Sequence, residues 1–300
     1  MTEPMEKPAA PAEEFGLRAR GRLIDCASRP LVMGIVNVND DSFSGDGTLD
    51  FGEAWRLAAG QVADGADVVD AGAESARTNR AAVSVEEEVR RLCGFLEAWH
   101  AGFDRLWPRF ADQVWPPVLS INTWRPEVVA RVLPLGGDIL NDMGGLPDDA
   151  NARLCAAHGA ALLVMHSVGS PKVPHTHVVY DDVITAVDRF FEDRLQRCAA
   201  AGLDPQATIL DPGFDFAKQR EDNLRLLAAV GRFRRFGRPI LLPVSRKTFI
   251  GQTLGLKEPA GRDAGTIAAL VAGQHRGAHI FRVHHVRAAA EAVRVVAACD

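Results

Sequence analysis

The sequence predicts a single-domain α/β protein, a (β/α)8 TIM barrel, and three observations carry that expectation. Eight short apolar runs suited to fully buried parallel strands recur from residue 31 onward. Longer amphipathic stretches separate them, as crossovers must, because parallel strands cannot be joined by tight turns. The chain has 300 residues, 47% of them apolar, which is enough for the one large core such barrels use. A doubly wound open sheet is the competing architecture. It has fewer strands and a glycine-rich nucleotide fingerprint after the first, which "GIVNVNDDSF" does not supply.

The elements follow in order. Residues 1–14, "MTEPMEKPAAPAEE", are polar, acidic and rich in Pro and Ala, the composition of a disordered tail. They lack the basic and apolar regions of a signal peptide. The domain is expected over 15–300. Its first segment, "FGLRARGRLIDC", alternates on either side of Gly21 as a short hairpin would. The strand-like runs are "PLVMGIVNV", "ADVVDAGAE", "PPVLSINT", "GDILNDMGG", "ALLVMHS", "ATILDPGF", "PILLPVSRK" and "HIFRVHHV". Helices are expected over 52–64, 84–98, 125–134, 148–158, 181–201, 221–235, 264–276 and 286–298. Glycine often precedes a strand, where a helix C-cap belongs. In the extension 99–115, Trp99, Phe103 and Trp107 form an i, i+4, i+8 stripe. It reads as a short helix packed on the barrel, or as an oligomer contact.

Composition excludes several classes. The formal charge is −5 and the Lys and Arg residues are scattered, so no basic field awaits nucleic acid. No apolar run reaches the roughly 18 residues of a membrane span. The five cysteines are far apart and form no CxxC pair, which argues against zinc and against a disulfide framework. Buried free thiols in a reducing cytoplasm are expected.

Barrel enzymes gather their chemistry at the C-terminal strand ends. Here those ends carry Asn37, Asp70 and Glu74, Asn122, Asn141 with Asp142, His166, Asp211, Ser245-Arg246-Lys247, and Arg282 with His284. A barrel built only for stability has no need of such a polar ring. Arg77, Lys247, Arg282 and His284 suit an anion such as phosphate. Asn37, Asn122, Asn141 and Asp211 suit a flat heterocycle with both donors and acceptors. Together they imply a heterocycle bearing a phosphate or diphosphate.

The motifs "MGIVNVNDDSFSGDG", "GADVVDAGAESAR", "LSINTW", "GGDILNDMGG", "LVMHSVGSP", "ILDPGFDFAK", "PVSRKTFIG" and "FRVHHV" stand in the order found in dihydropteroate synthases. From about residue 22 to 298 the chain resembles that family. The resemblance implies a transferase of folate biosynthesis that condenses 6-hydroxymethyl-7,8-dihydropterin diphosphate with p-aminobenzoate, releases diphosphate and uses Mg2+. It places Asn122, Asn141, Asp211, Phe216, Asp70 and Lys247 around the pterin, and Arg77, Arg282, His284 and Asn37 on the diphosphate. Asn37 takes the position of the Mg2+ ligand. Phe43, Ser245, Thr248 and Lys247 would line the p-aminobenzoate pocket, while Lys247, Arg282, His284 and Asp41 would serve catalysis. The implied mechanism is dissociative: diphosphate leaves, and the amine attacks a pterin methyl cation. A homodimer through the late helices is also implied, with no membrane partner.

Several positions depart from the family pattern. Asn39-Asp40 stand where Thr-Pro is usual, Ala76 replaces Thr, and Thr78-Asn79 replace Pro-Gly. Asp215 stands where Gly is common and His285 where Asp is usual. Asn122 stands where the family has Asp, which removes a negative charge from the pterin slot. Three readings therefore follow: a synthase with a modified site, a pterin-binding paralogue with little turnover, or a same-scaffold enzyme with another pterin or amine. A pterin-dependent methyltransferase fits less well, because it has no use for the cations of "SRK" and "RVH".

Overall fold

A computed structural model describes residues 15–40, 47–75, 81–173, 175 and 177–299. The expected tail lies outside the described residues. The expected hairpin is present as β1 (Gly16–Ala19) and β2 (Arg22–Asp25), paired antiparallel. Eight parallel strands follow: β3 (Leu31–Asn37), β4 (Val68–Gly72), β5 (Val118–Asn122), β6 (Ile139–Asp142), β7 (Ala161–Met165), β8 (Thr208–Asp211), β9 (Leu241–Leu242) and β10 (Ile280–Val283). The order β8-β7-β6-β5-β4-β3-β10-β9 is closed by a bridge between Leu210 and Ile240. This is the barrel that the alternating pattern predicts.

The helices are α1 (Phe51–Ala63), α2 (Val85–Gly102), α3 (Pro126–Val132), α4 (Ala150–His158), α5 (Val183–Ala200), α6 (Arg220–Ala229), α7 (Thr248–Leu254), α8 (Asp263–Gln274) and α9 (Val286–Ala297). Local chemistry sets several starts. Asp50 accepts the Glu53 amide at 2.8 Å and Ser84 accepts the Glu87 amide at 3.2 Å. Gly159 ends α4 at φ 66°, a left-handed position glycine adopts without strain.

Three expectations need correction. The helix expected over 221–235 loosens after Ala229 into a 3-10 stretch, Val230–Phe236. The 99–115 segment is not a separate helix, because α2 runs on to Gly102 and a 3-10 turn, Phe103–Arg105, ends it. Trp99 is buried, but Trp107 is 74% exposed and has left the stripe. The free thiols are also mixed: Cys26, Cys155 and Cys198 are buried, Cys93 is half-buried and Cys299 is exposed.

The hairpin stoppers the N-terminal face of the barrel. Arg20 donates to the carbonyl oxygens of Gly137, His158 and Leu133 at 3.0, 2.8 and 2.6 Å, in the segments that lead into β6 and β7. Leu17, Ala19 and Ile24 are buried beneath it. The C-terminal face is thus the face left for a site. Among the described residues no helix is long and apolar enough to cross a membrane.

Candidate active site

Strand register builds the floor of the site. Asn37, Gly72, Asn122 and Asn141 stand in one row across β3, β4, β5 and β6. A Cβ at Gly72 would meet the Asn122 Cβ at 3.3 Å, so the small residue gives the Asn122 side chain its room. Side chains alternate along a strand, so Asp70 and Ser120, which pair with each other, lie two residues deeper on the same side.

Asp70 is fully buried and gathers the donors around it. It accepts from Ser120 Oγ at 2.6 Å, from Arg282 Nε at 2.7 Å and from Asn141 Nδ2 at 3.1 and 3.2 Å. Asn122 Nδ2 lies 3.4 Å from Asp70 Oδ2, and among the described residues Asn122 Oδ1 has no hydrogen-bond partner. Asp70 is therefore not part of the cavity wall. It works from beneath, holding the amides of Asn122 and Asn141 and the guanidinium of Arg282.

Above this floor opens a cavity of about 620 Å3. Asn37, Asn122, Asn141, Asp211, Phe216, Ser245, Lys247, Thr248, Arg282 and His284 all line it. Ten side chains named from the sequence are thus brought together by six strand ends, those of β3, β5, β6, β8, β9 and β10. Asp41, Phe43 and Arg77 lie outside the described residues.

Asp211 ends β8, is buried, and accepts the Gly213 amide at 2.7 Å. Burial pushes its carboxyl up to about 6, against the pull of Lys247, Lys218 and Arg282. The Lys247 ammonium sits over the Phe216 ring, 4.5 Å from its centroid, and burial lowers its pKa. Ser245 Oγ lies 2.8 Å from His284 Nδ1 and accepts the His284 amide at 3.2 Å. The basic side chains of Arg282, His284 and Lys247 suit an anionic ligand, and the amides with Asp211 suit a flat ring.

Two lysines complete the site that the sequence reading did not single out. Lys218 is buried, and its ammonium contacts His166 Nδ1 at 2.9 Å and donates to the carbonyls of Gly213 and Phe216 at 2.8 and 3.0 Å. Burial pulls Lys218 down to about 7, and burial likewise holds His166 well below its ordinary value. Lys172, in the loop after β7, contacts Glu74 Oε1 at 3.1 Å and donates to the Ser75 carbonyl at 3.0 Å. It ties that loop across the cavity mouth to the end of β4. The signal for Lys218 was its place in "DPGFDFAK"; that for Lys172 was only a lysine after "GSP". Asp142, read beside Asn141, turns away from the cavity to accept from Asn151 at 2.9 Å and from the Gly144 amide at 2.7 Å.

Comparison with known proteins identifies the arrangement. A family described as pterin binding enzyme matches residues 33–284. The chain belongs to the pterin-binding enzyme family. It is 38% identical to the dihydropteroate synthase of Escherichia coli (strain K12) over 283 residues, 94% of this chain and 95% of that protein. The structure is similar to a Yersinia pestis dihydropteroate synthase in a sulfonamide drug complex, with a TM-score of 0.84 and 33% identity, covering 95% of this chain and 98% of that one. It is also similar to the Xanthomonas albilineans dihydropteroate synthase in complex with 7,8-dihydropteroate, with a TM-score of 0.79, 33% identity and coverage of 95% and 98%. The pterin-binding barrel is therefore that of a dihydropteroate synthase-like transferase of folate biosynthesis, shared over nearly the full length of these relatives.

Proposed function

We propose that this chain condenses 6-hydroxymethyl-7,8-dihydropterin diphosphate with p-aminobenzoate and releases diphosphate. One observation carries the assignment of roles: a single cavity joins an amide-and-carboxylate floor to the basic side chains of Lys247, Arg282 and His284. Ionised Asp211 is acceptor-only, so it suits two adjacent ring donors of the pterin. Asn122 and Asn141 meet the far edge of the ring. Arg282 offers a planar fork to diphosphate oxygens, and a phosphate beside His284 favours its protonated form. Phe216 stands by the pterin ring, and Lys247, between ring and amine, flanks the amine with Ser245 and Thr248.

Mg2+ is part of this proposal. Among the described residues no three His, Cys, Asp or Glu side chains could hold a metal together. Asn37, on the cavity wall, supplies one amide oxygen. That donor set suits an ion that keeps most of its waters and otherwise uses phosphate oxygens. When bound, the ion would offset charge on the departing diphosphate. The protein's own share is to hold the ring on Asp211, orient the leaving group with Arg282 and His284, and keep positive charge fixed where negative charge develops.

The test supplies the pterin diphosphate, p-aminobenzoate and Mg2+, and follows diphosphate release together with calorimetric binding of the pterin. Release at an ordinary enzymatic rate is expected. Tight pterin binding without release would reduce the protein to a binder and sink the proposal. A cytoplasmic setting and a homodimer through α8 and α9 complete the reading. Val295, 64% exposed on α9, supports such a contact, and light scattering at the mass of one chain would remove the dimer.

A further inference from the structure

Lys218 is buried, and the reaction proposed above gives its side chain no task. It closes the loop after β8, in which Gly213, Asp215 and Ala217 adopt φ of 70°, 63° and 53°. Gly213 is required there, because a Cβ would fall 2.0 Å from the His166 carbonyl oxygen. Asp215 and Ala217 carry side chains in a backbone region that is unfavourable outside glycine, so the loop persists only where its surroundings hold it. Phe216 lies between those two residues and lines the cavity.

The Lys218 side chain grips this loop from within. Its Nζ donates to the Gly213 carbonyl at 2.8 Å and to the Phe216 carbonyl at 3.0 Å, and it lies 2.9 Å from His166 Nδ1. The Phe216 amide donates to the same Gly213 carbonyl at 3.1 Å. Both backbone polar groups of Phe216 are therefore tied into one knot, which His166 anchors at the end of β7. Asn223 holds the neighbouring residue, accepting the Asp215 amide at 2.8 Å and donating to Asp215 Oδ1 at 3.1 Å. Those bonds do not reach Phe216. Protonated, Nζ has three N–H groups for its three acceptors; neutral, it keeps two for the carbonyls. The grip thus survives loss of the proton, although burial pulls Lys218 down to about 7.

We propose that Lys218 is a positioning residue: by holding the carbonyls of Gly213 and Phe216, it sets the Phe216 ring as a fixed wall for the pterin. This rests on the reading above only for placing the pterin beside Phe216. The Lys247 ammonium sits over the same ring, 4.5 Å from its centroid, so the place of the ring also bears on the place of Lys247. A ring whose orientation is settled before binding offers a flat heterocycle its surface without a further ordering cost. Lys218 needs no contact with the ligand for this role. Without it, the left-handed residues on either side of Phe216 lose the bonds that fix the carbonyls around them.

A double-mutant cycle on pterin binding tests this. 6-Hydroxymethyl-7,8-dihydropterin is titrated calorimetrically into the full chain, with folding of each variant checked by thermal unfolding. Lys218→Met keeps the apolar stem and removes the donors, and Phe216→Ala removes the ring. Each alone is expected to weaken the pterin about tenfold, the scale of one lost hydrogen bond or ring contact. If Lys218 acts through the ring, the double variant binds within about threefold of Phe216→Ala alone, whereas independent effects multiply to about a hundredfold. A loss of that larger size overturns the proposal, because Lys218 would then act on the pterin directly or on the barrel as a whole. A single variant of either kind that binds like the parent overturns it too. Lys218→Gln, which keeps a donor on a shorter stem, enters the cycle if the methionine variant does not fold. Failure of both to fold makes Lys218 a residue of the core alone and likewise overturns the proposal. A parent that binds the pterin without releasing diphosphate fails the synthase reading only, and a parent that binds none removes both.

Discussion

The two ends of the cavity are made of different material. The end proposed for the pterin rests on β3, β4, β5, β6 and β10, where register places Asn37, Asn122, Asn141 and Arg282 around the buried Asp70. The end proposed for the amine rests on loops: the left-handed turn through Asp215 and Ala217, and the start of α7. Strands fix a side chain by ladder hydrogen bonds on both flanks, so a substitution there changes chemistry while leaving position intact. Loops fix a side chain through a few specific contacts, such as Asn223 to Asp215, so one substitution there can change both. Asn122 is a departure of the first kind and Asp215 of the second.

The sharpest way to break this contrast is at Arg282. Its Nε lies 2.7 Å from a fully buried carboxylate, and it also faces the cavity. Arg282→Met takes the guanidinium partner from the buried Asp70 carboxylate beneath the floor, which is expected to lower stability by about 3 kcal/mol. It also removes a fixed cation from the leaving-group side, with a fall in kcat/KM on the order of 10²–10³. Chemical denaturation and steady-state kinetics measure the two effects. A rate loss at parental stability would mean that the floor does not depend on the pair and is no more rigid than the rim.

A second, smaller effect comes from Asp211, whose carboxyl burial raises to about 6. Protonated, it loses its acceptor-only character, so pterin affinity is expected to fall about tenfold per pH unit below that value. Stability moves the other way. The folded pKa lies above the ordinary 3.8, so the folded state holds the proton more tightly. That contribution is fully present below 3.8 and is lost as pH rises through about 6. Asp142 has the same raised value but lies off the cavity, so it shares the stability trend without the binding trend. Calorimetry from pH 5 to 8 should show pterin affinity rising with pH in the parent and flat in Asp211→Asn. A parent profile that is equally flat would remove Asp211 from the ring contact.

The strand-built end was the part legible from sequence. Apolar runs of buried strands end on polar residues, and the barrel rule says where those residues converge, so Asn37, Asn122, Asn141, Asp211, Arg282 and His284 could be named in advance. What remained hidden was set by distant partners. Helix α7 is only seven residues long and takes its cap from Asp215, so no local signal marked it. The layer order was hidden as well: Asp70 and Asn122 both looked like strand-end ligands, yet register sets Asp70 deeper. Lys172 was missed because its partners, Glu74 and Ser75, come from another strand end. The Trp99, Phe103 and Trp107 stripe failed for a simpler reason. Periodicity cannot show that a helix stops at Gly102.

The smallest expected effect is at Asn122, although the family pattern alone suggests a large one. An absent carboxylate facing a developing pterin cation would remove on the order of 10²–10³ in rate if nothing replaced it. Here Asp70 already holds a carboxylate one layer below, with Oδ2 3.4 Å from Asn122 Nδ2. Asn122→Asp would turn that donor into a second carboxylate facing the first. Two such groups share a proton and titrate as a pair, one with a raised pKa. The added charge is therefore only partly realised near neutral pH, and turnover at pH 7 is expected to change by less than about tenfold. Any gain should grow with pH as the second carboxyl ionises. A raised folded pKa adds stability at low pH that is lost as pH rises, so the variant should also be less stable than the parent by about 1–2 kcal/mol at pH 8. Turnover and unfolding midpoints of both proteins across pH 5 to 8 provide the check. A gain of a hundredfold at unchanged stability would show that Asp70 does not stand in for the missing charge, and that one strand-end substitution had disabled an otherwise rigid floor.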